Sequence, residues 1–298
     1  MIVDAHVHVF AKKTTEFPRT VSPQYPEDGE APVELLLEQM ESNGVDQAVL
    51  TQIGGPELEH HTYLQHCLKT YPNRFLGIGL IPKEKWHAPE DHMDRLAESG
   101  GIVGFRLFEV GGPIDPLVPM DVTTFSTYPI WKYAAEKDYV IWLYSCARDA
   151  HQIPFLVQAF PNVRVVFNHL MVCPGENAFA HDDKGRPRIQ TPMPPLTRYS
   201  MLGLHEFPNV AVKLAGQYAF SQEDWPYNDL ERWHKTLLGK FGAERLMWAT
   251  DFPWILEDPG YGKLVKVIDA LLPDLDSEQR DLIMGEAARR FLRFPETV

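Results

Sequence analysis

Two imidazoles one residue apart, His6 and His8, lie in the stretch VDAHVHVF (3–10), and a carboxylate, Asp251, lies near the other end of the chain in WATDFPW (248–254). In a period-two strand, residues i and i+2 share a face. Val3, Ala5, Val7 and Val9 would then pack under helices, while Asp4, His6 and His8 face the other way. Imidazole and carboxylate on one face can move protons, hold a carbonyl oxygen or bind a metal. Further polar side chains recur late in other apolar runs: Gln52, Arg106 in GFRLFEV, Tyr144 in YVIWLYS, His169 in VVFNHL and Lys213 in VAVKLAG. Polar groups buried at strand ends must be paired or used, and this many exceeds what packing requires.

Each has a plain structural explanation beside the chemical one. A buried histidine usually satisfies its neighbours, Arg106 and Lys213 are plausible ion-pair partners, and Asp251 before Phe252-Pro253 suits a turn. Two imidazoles on one strand face fit poorly into an apolar core, and this singles out the His6/His8 pair. Asp4 reads better as a backbone partner, and His60 and His61 as solvated residues at a helix start.

To converge, these positions need a scaffold that gathers strand ends. Eight apolar runs read as strands: 2–9, 45–53, 75–81, 102–108, 139–145, 163–170, 210–216 and 246–252. Segments of helical period lie between most of them. Pro32 starts one that buries Val33, Leu36, Leu37 and Met40 and ends at Gly44. Another starts near Pro56 and stops before Pro72, Asp149 is placed to cap a third, and Leu230, Trp233, Leu237 and Phe241 stripe a fourth. Asp276 and Gln279 form a capping box for the last helix. Eight strands alternating with helices predict an α/β fold: a single (β/α)8 TIM-type barrel over residues 1–298, with its site at the C-terminal mouth of the strands. The proline-rich segments 10–31 and 171–195 both follow strands and belong over that mouth as lids or binding loops.

The 298 residues are 44% hydrophobic and 23% charged, enough for a sizeable core. A net charge of −13 disfavours nucleic acid and anionic membrane as partners, leaving a small-molecule substrate. Three dispersed cysteines, no leader pattern and no long apolar run point to a cytoplasmic chain with reduced thiols. The sequence leaves the oligomeric state open.

DAHVHVF, NHL (168–170) and ATDFP (249–253), in this order along eight strands, resemble the amidohydrolase superfamily. GVDQAVLTQ (44–52), PNVAVKLAG (208–216) and GEAARRFLRF (285–294) are similar to its lactonase-like branch, which includes 2-pyrone-4,6-dicarboxylate lactonase, sulfomuconolactone hydrolase and sugar lactonases. Metal-dependent members of that superfamily add a fifth-strand histidine or a fourth-strand carboxylated lysine. This chain has Tyr144 and Ser145 at the first position and Arg106 at the second. The resemblance therefore implies an enzyme that works without metal, although His6, His8 and Asp251 would be the ligands if zinc or manganese were bound.

The expected reaction is hydrolysis of a lactone, an already activated carbonyl. Asp251 is the expected general base, His6, His8 and His169 stabilise the carbonyl oxygen, and Arg106 and Lys213 hold a substrate carboxylate. Tyr144, Gln52 and Trp254 complete the substrate-binding set, with aromatic walls that suit a flat ring. The alternatives are a metal-dependent decarboxylase or hydratase on the same scaffold, and a barrel that binds a small acid without turning it over.

Overall fold

The computed structural model describes residues 1–295. All eight expected strands form: β1 (Val3–Val7), β2 (Gln47–Thr51), β3 (Phe75–Leu80), β4 (Ile102–Leu107), β5 (Val140–Leu143), β6 (Val165–Phe167), β9 (Val210–Leu214) and β10 (Leu246–Trp248). They pair in parallel in the order β1-β2-β3-β4-β5-β6-β9-β10. The first and last strands meet through a parallel bridge, Val7 to Phe252, and His8 N donates to Phe252 O at 2.8 Å. That contact closes the α/β barrel. β7 (Phe179–His181) and β8 (Pro187–Ile189) make a separate antiparallel hairpin inside the long segment after β6.

Helices cover the outside wherever the 3.6-residue pattern predicted them. Val33–Ser42 follows Pro32, buries Val33, Leu36 and Met40, and stops at Gly44, whose φ of +69° a side chain would resist. Glu231–Phe241 buries Trp233, Leu237 and Phe241. The Asp276–Gln279 capping box forms in both directions. Asp149 does not cap a helix. It sits in a short 3-10 turn, Ala147–Asp149, and the next helix, Ile153–Ala159, begins after Gln152.

One expectation for the opening strand needs correction, and the correction positions the site. Strict alternation would put Asp4, His6 and His8 on one face. The pairing of β1 with β2 instead slips by one residue between Asp4 and Val7: Asp4 pairs with Ala48, but Val7 pairs with Leu50. This is a β-bulge, in which one extra residue re-aims the chain. Val3 and Ala5 pack in the barrel interior with Trp142, Ala211 and Met247, whereas Val7 joins the layer under the helices. Asp4 also faces outward, accepting from Thr250 N (2.9 Å), Thr250 Oγ1 (2.5 Å) and Tyr261 Oη (2.9 Å). His6 and His8 thus turn inward without Asp4.

Segment 10–31 is an ordered loop tied around one side chain. The Arg19 guanidinium donates to the carbonyls of Ala11, Thr20, Tyr25, Pro26, Glu27 and Gly29, and Phe10 bridges back to Ala31. Among the described residues no helix is long and apolar enough to cross a membrane. Cys67, Cys146 and Cys173 are free thiols.

Candidate active site

The barrel closure brings residues about 240 positions apart into one pocket. Asp251 N donates to His6 O at 3.0 Å, so the loop after β10 is stitched to β1 beside the histidine pair. Asp251 Oδ1 then lies 3.5 Å from His6 Nε2 and 3.6 Å from His8 Nε2. Asp251 Oδ2 accepts from Tyr218 Oη at 2.7 Å. The His169 ring stands edge-on to His6 at 5.1 Å between centroids, and Tyr144 stands edge-on to His169 at 5.2 Å.

Two of these side chains depend on unusual backbone. Asp251 has a φ of 64°, and His169, Leu170 and Met171 have φ values of 42°, 58° and 57°. β6 ends at Phe167, so His169 belongs to the turn after the strand rather than to the strand itself. A run of left-handed residues is costly and persists only where surrounding contacts hold it, typically at functional sites. Gly216 makes room for the result: a Cβ at that position would lie 2.9 Å from His169 Nδ1.

The cavity has a volume of about 370 Å³, at the lower end of the ~300–1,000 Å³ usual for small-molecule sites. His8, His169, Asp251, Arg106, Tyr144 and Trp254 line it, as does Gln52. Both long segments contribute wall, through Thr20, Gln24 and Tyr25 on one side and Phe179, Pro187 and Ile189 on the other. The Gln52 amide is already committed, donating to the carbonyls of Ile53, Gly55 and His60. Lys213 is placed differently from the sequence expectation. It is wholly buried behind the wall, with Nζ 2.6 Å from His6 Nδ1 and 4.0 Å from the Trp142 ring. A carboxylate in the cavity does not meet it.

His61 is another departure. It is buried and accepts the Leu80 backbone N–H at 2.9 Å while contacting Glu57 O at 2.8 Å, a packing role rather than a solvated one. Sequence reasoning also missed three partners. Trp142 and Thr51 bracket His6 Nδ1, and Tyr218 binds Asp251. The alternation of β5 and β2 marks Trp142 and Thr51 as inward-facing, but nothing in the chain pairs them with a histidine 45 or 136 residues away.

Burial sets the protonation states. It holds His6 and His169 well below the ordinary histidine range, with Lys213 adding to the effect, and takes His8 down to about 3. The imidazoles are therefore neutral near pH 7, and their contacts with Asp251 are not ion pairs. Burial also pushes Asp251 up to about 7, against the Tyr218 hydrogen bond and the Arg106 charge. Arg106 is lowered by burial to about 10 and keeps its proton.

Neutral imidazoles have a direction. The indole N–H of Trp142 can only donate, and it points at His6 Nδ1 at 3.2 Å. Nδ1 therefore carries the lone pair and Nε2 carries the hydrogen. In His8, Nδ1 lies 2.8 Å from the Thr51 carbonyl, which can only accept, so Nδ1 carries the hydrogen and Nε2 the lone pair. The two adjacent histidines turn opposite characters toward Asp251: His6 Nε2, buried just behind the lining, is a donor, and His8, on the cavity wall, offers an acceptor.

This assignment also tests the site for a metal. His6, His169 and Asp251 offer ligand atoms within 4.8 Å of one another, a spacing that admits a divalent ion. A ligating histidine turns its lone pair to the metal and donates its other N–H to the protein. His8 meets that description, but His6 does not, because Trp142 donates to the nitrogen that would have to donate. The donor set does not fit a metal held through His6 Nε2.

The family profile described as Amidohydrolase matches residues 3–294. The chain belongs to the amidohydrolase family. A curated relative, D-galactarolactone isomerase of Agrobacterium fabrum (strain C58 / ATCC 33970), is 22% identical over 250 residues, covering 82% of this chain and 76% of its own. Among solved structures, a Pseudomonas putida protein provisionally named 2-pyrone-4,6-dicarboxylic acid hydrolase is 24% identical with a TM-score of 0.72, covering 99% of this chain and 98% of that one. A probable 2-pyrone-4,6-dicarboxylic acid hydrolase of Acinetobacter baumannii with citric acid bound is 17% identical with a TM-score of 0.74, covering 98% and 99%. These likenesses bear out the fold over nearly the whole length of the chain.

Proposed function

We propose that this amidohydrolase opens the ring of a lactone by adding water to its carbonyl. The reading is carried by one observation: a buried carboxylate poised near neutrality on the wall of a small cavity stands against an acceptor imidazole on that wall, His8, and an unpartnered donor imidazole just behind it, His6. Asp251 Oδ1 takes a proton from the attacking water, and the His8 Nε2 lone pair accepts the other water hydrogen and so fixes its direction. His6 Nε2–H is the donor for the carbonyl oxygen as negative charge grows there. His169, which lines the same cavity edge-on to His6, is the candidate for a second donor. Collapse of the tetrahedral adduct breaks the ring C–O bond, and Asp251 returns the proton to the departing oxygen. One lactone and one water give one hydroxy acid, which releases a proton to bulk at neutral pH. Lys213 acts on this chemistry through His6 rather than on substrate, and no step calls on a metal.

The family relative favours a second reading, isomerisation between two lactones. The same base and donors serve if the nucleophile is a hydroxyl of the substrate itself instead of water. Assay of a lactone panel with a pH indicator, followed by NMR of the products, separates the two. Hydrolysis acidifies the solution and yields an open-chain acid, whereas isomerisation leaves the pH unchanged and yields a new ring. A panel of aromatic-derived and sugar lactones that shows neither change would remove the lactone reading.

A further inference from the structure

Arg106 is a cation without a hydrogen-bonded anion; Asp251 acts on it only through space. Its guanidinium lies on the cavity wall, only 9% exposed, 4.6 Å from the Phe108 ring centroid and 5.6 Å from that of Tyr144. Its Nε is buried with no hydrogen-bond partner, and among the described residues no carboxylate lies within ion-pairing distance of it. A desolvated guanidinium normally has its fork filled by carboxylate or phosphate. The aromatic faces hold the charge in place but do not satisfy its hydrogen-bond donors.

Among the described residues no other cation reaches the cavity. Lys213 is behind the wall on His6, Arg19 spends its donors on loop carbonyls, and Arg188 donates to the carbonyls of Tyr218 and Ser221. The rest of the lining is mostly apolar, with Ile53, Phe179, Ile189 and Phe220, and its polar members Thr20 and Gln24 are uncharged. A second carboxylate would find neutral groups such as the Tyr144 hydroxyl and Gln24 but no second positive charge to offset its lost water.

We propose that the substrate of this site is a monoanion: a flat lactone bearing one carboxylate, gripped by Arg106. The proposal rests on the lactone reading above, narrows it to one substrate class, and separates this chain from relatives named for dicarboxylates.

The test uses the intact protein and planar rings that cannot be hydrolysed: benzoate, isophthalate and benzamide, carrying one, two and no carboxylates. Calorimetric binding of benzoate should be about tenfold or more tighter than that of either other ring. Arg106→Met should abolish the benzoate preference while leaving benzamide unchanged, and Arg106→Lys should keep part of it. Isophthalate binding as tightly as benzoate, equal affinity for all three rings, no measurable binding of any of them, or full benzoate affinity in Arg106→Met would each overturn the proposal. Turnover is scored separately, with 2-pyrone-6-carboxylate beside 2-pyrone-4,6-dicarboxylate. A preference for benzoate without ring opening of either pyrone would sink the reaction and leave the monoanion site standing. Faster opening of the dicarboxylate would do the reverse.

Discussion

The phenol of Tyr218 donates to Asp251 Oδ2 at 2.7 Å, which leaves Oδ1 as the oxygen that faces His6 and His8. The bond orients the carboxylate and favours its ionised form, opposing the burial that raises its pKa. Tyr218→Phe should therefore shift the acid limb of the pH–rate profile upward by about one unit. It should also lower kcat more than it raises KM. An unmoved limb would assign Tyr218 to packing alone.

The same limb follows from Asp251 in the unmodified enzyme. Its pKa, raised to about 7 by burial, means the carboxylate base is present above that pH and lost below it. Activity should rise with pH through a midpoint near 7 and be about a hundredfold lower two units below it. Asp251→Asn should cut kcat by ~10²–10⁴ while binding of a planar monocarboxylate persists. Retention of most activity by this variant would refute the base assignment.

Lys213 offers a clean separation between two roles. If it braces His6, Lys213→Met lowers kcat by on the order of tenfold, short of the ~10²–10³ seen when a donor to the reacting oxygen is removed. The affinity for monocarboxylates stays the same. Should KM rise instead with kcat intact, the lysine belongs in substrate binding after all.

Metal removal tests the tautomer of His6. Dialysis against dipicolinate should leave kcat unchanged, and titration of the apoprotein with Co²⁺ should give no ligand-field absorption from this site. Activity lost to the chelator and restored by zinc or manganese would show that His6 Nε2 is free to ligate and that Trp142 does not set its proton.

Asp4 lies outside the chemistry but holds its frame. Asp4→Ala leaves the Thr250 amide, the Thr250 hydroxyl and the Tyr261 hydroxyl without their acceptor, a loss of about 3 kcal/mol in urea unfolding. The native pKa of Asp4 is raised by burial from 3.8 to about 6. Its contribution is accordingly complete below pH 3.8 and fades as the pH climbs through 6, so Asp4→Asn should flatten the stability profile over that window. An unchanged slope would place the Asp4 charge elsewhere in the ledger of acid stability.

Most of the scaffold was legible because each strand had the apolar run, and each helix the stripe, that its surroundings demand. Ends of elements were less so. His169 reads as the close of a strand, yet the chain leaves the sheet at Phe167 and turns through left-handed residues that no local pattern announces. The bulge in β1 is silent for a related reason: VDAHVHV alternates perfectly, and only pairing with β2 forces the slip. His6, His8, His169 and Asp251 could be named from type and spacing. What each ring nitrogen does could not, because it depends on Trp142 and Thr51, which reach the site through the barrel and not along the chain. Lys213 shows the limit most plainly, since an inward position on a late strand does not say whether a side chain meets the cavity or the wall behind it.

The Arg19 knot bears on how such a protein changes over generations. Because the loop's carbonyls are satisfied from within, its folding asks little of the side chains at Thr20 and Gln24, which line the cavity. Those positions form an exchangeable cassette on a fixed frame. New specificities can be sampled there while the acid–base apparatus across the pocket stays undisturbed.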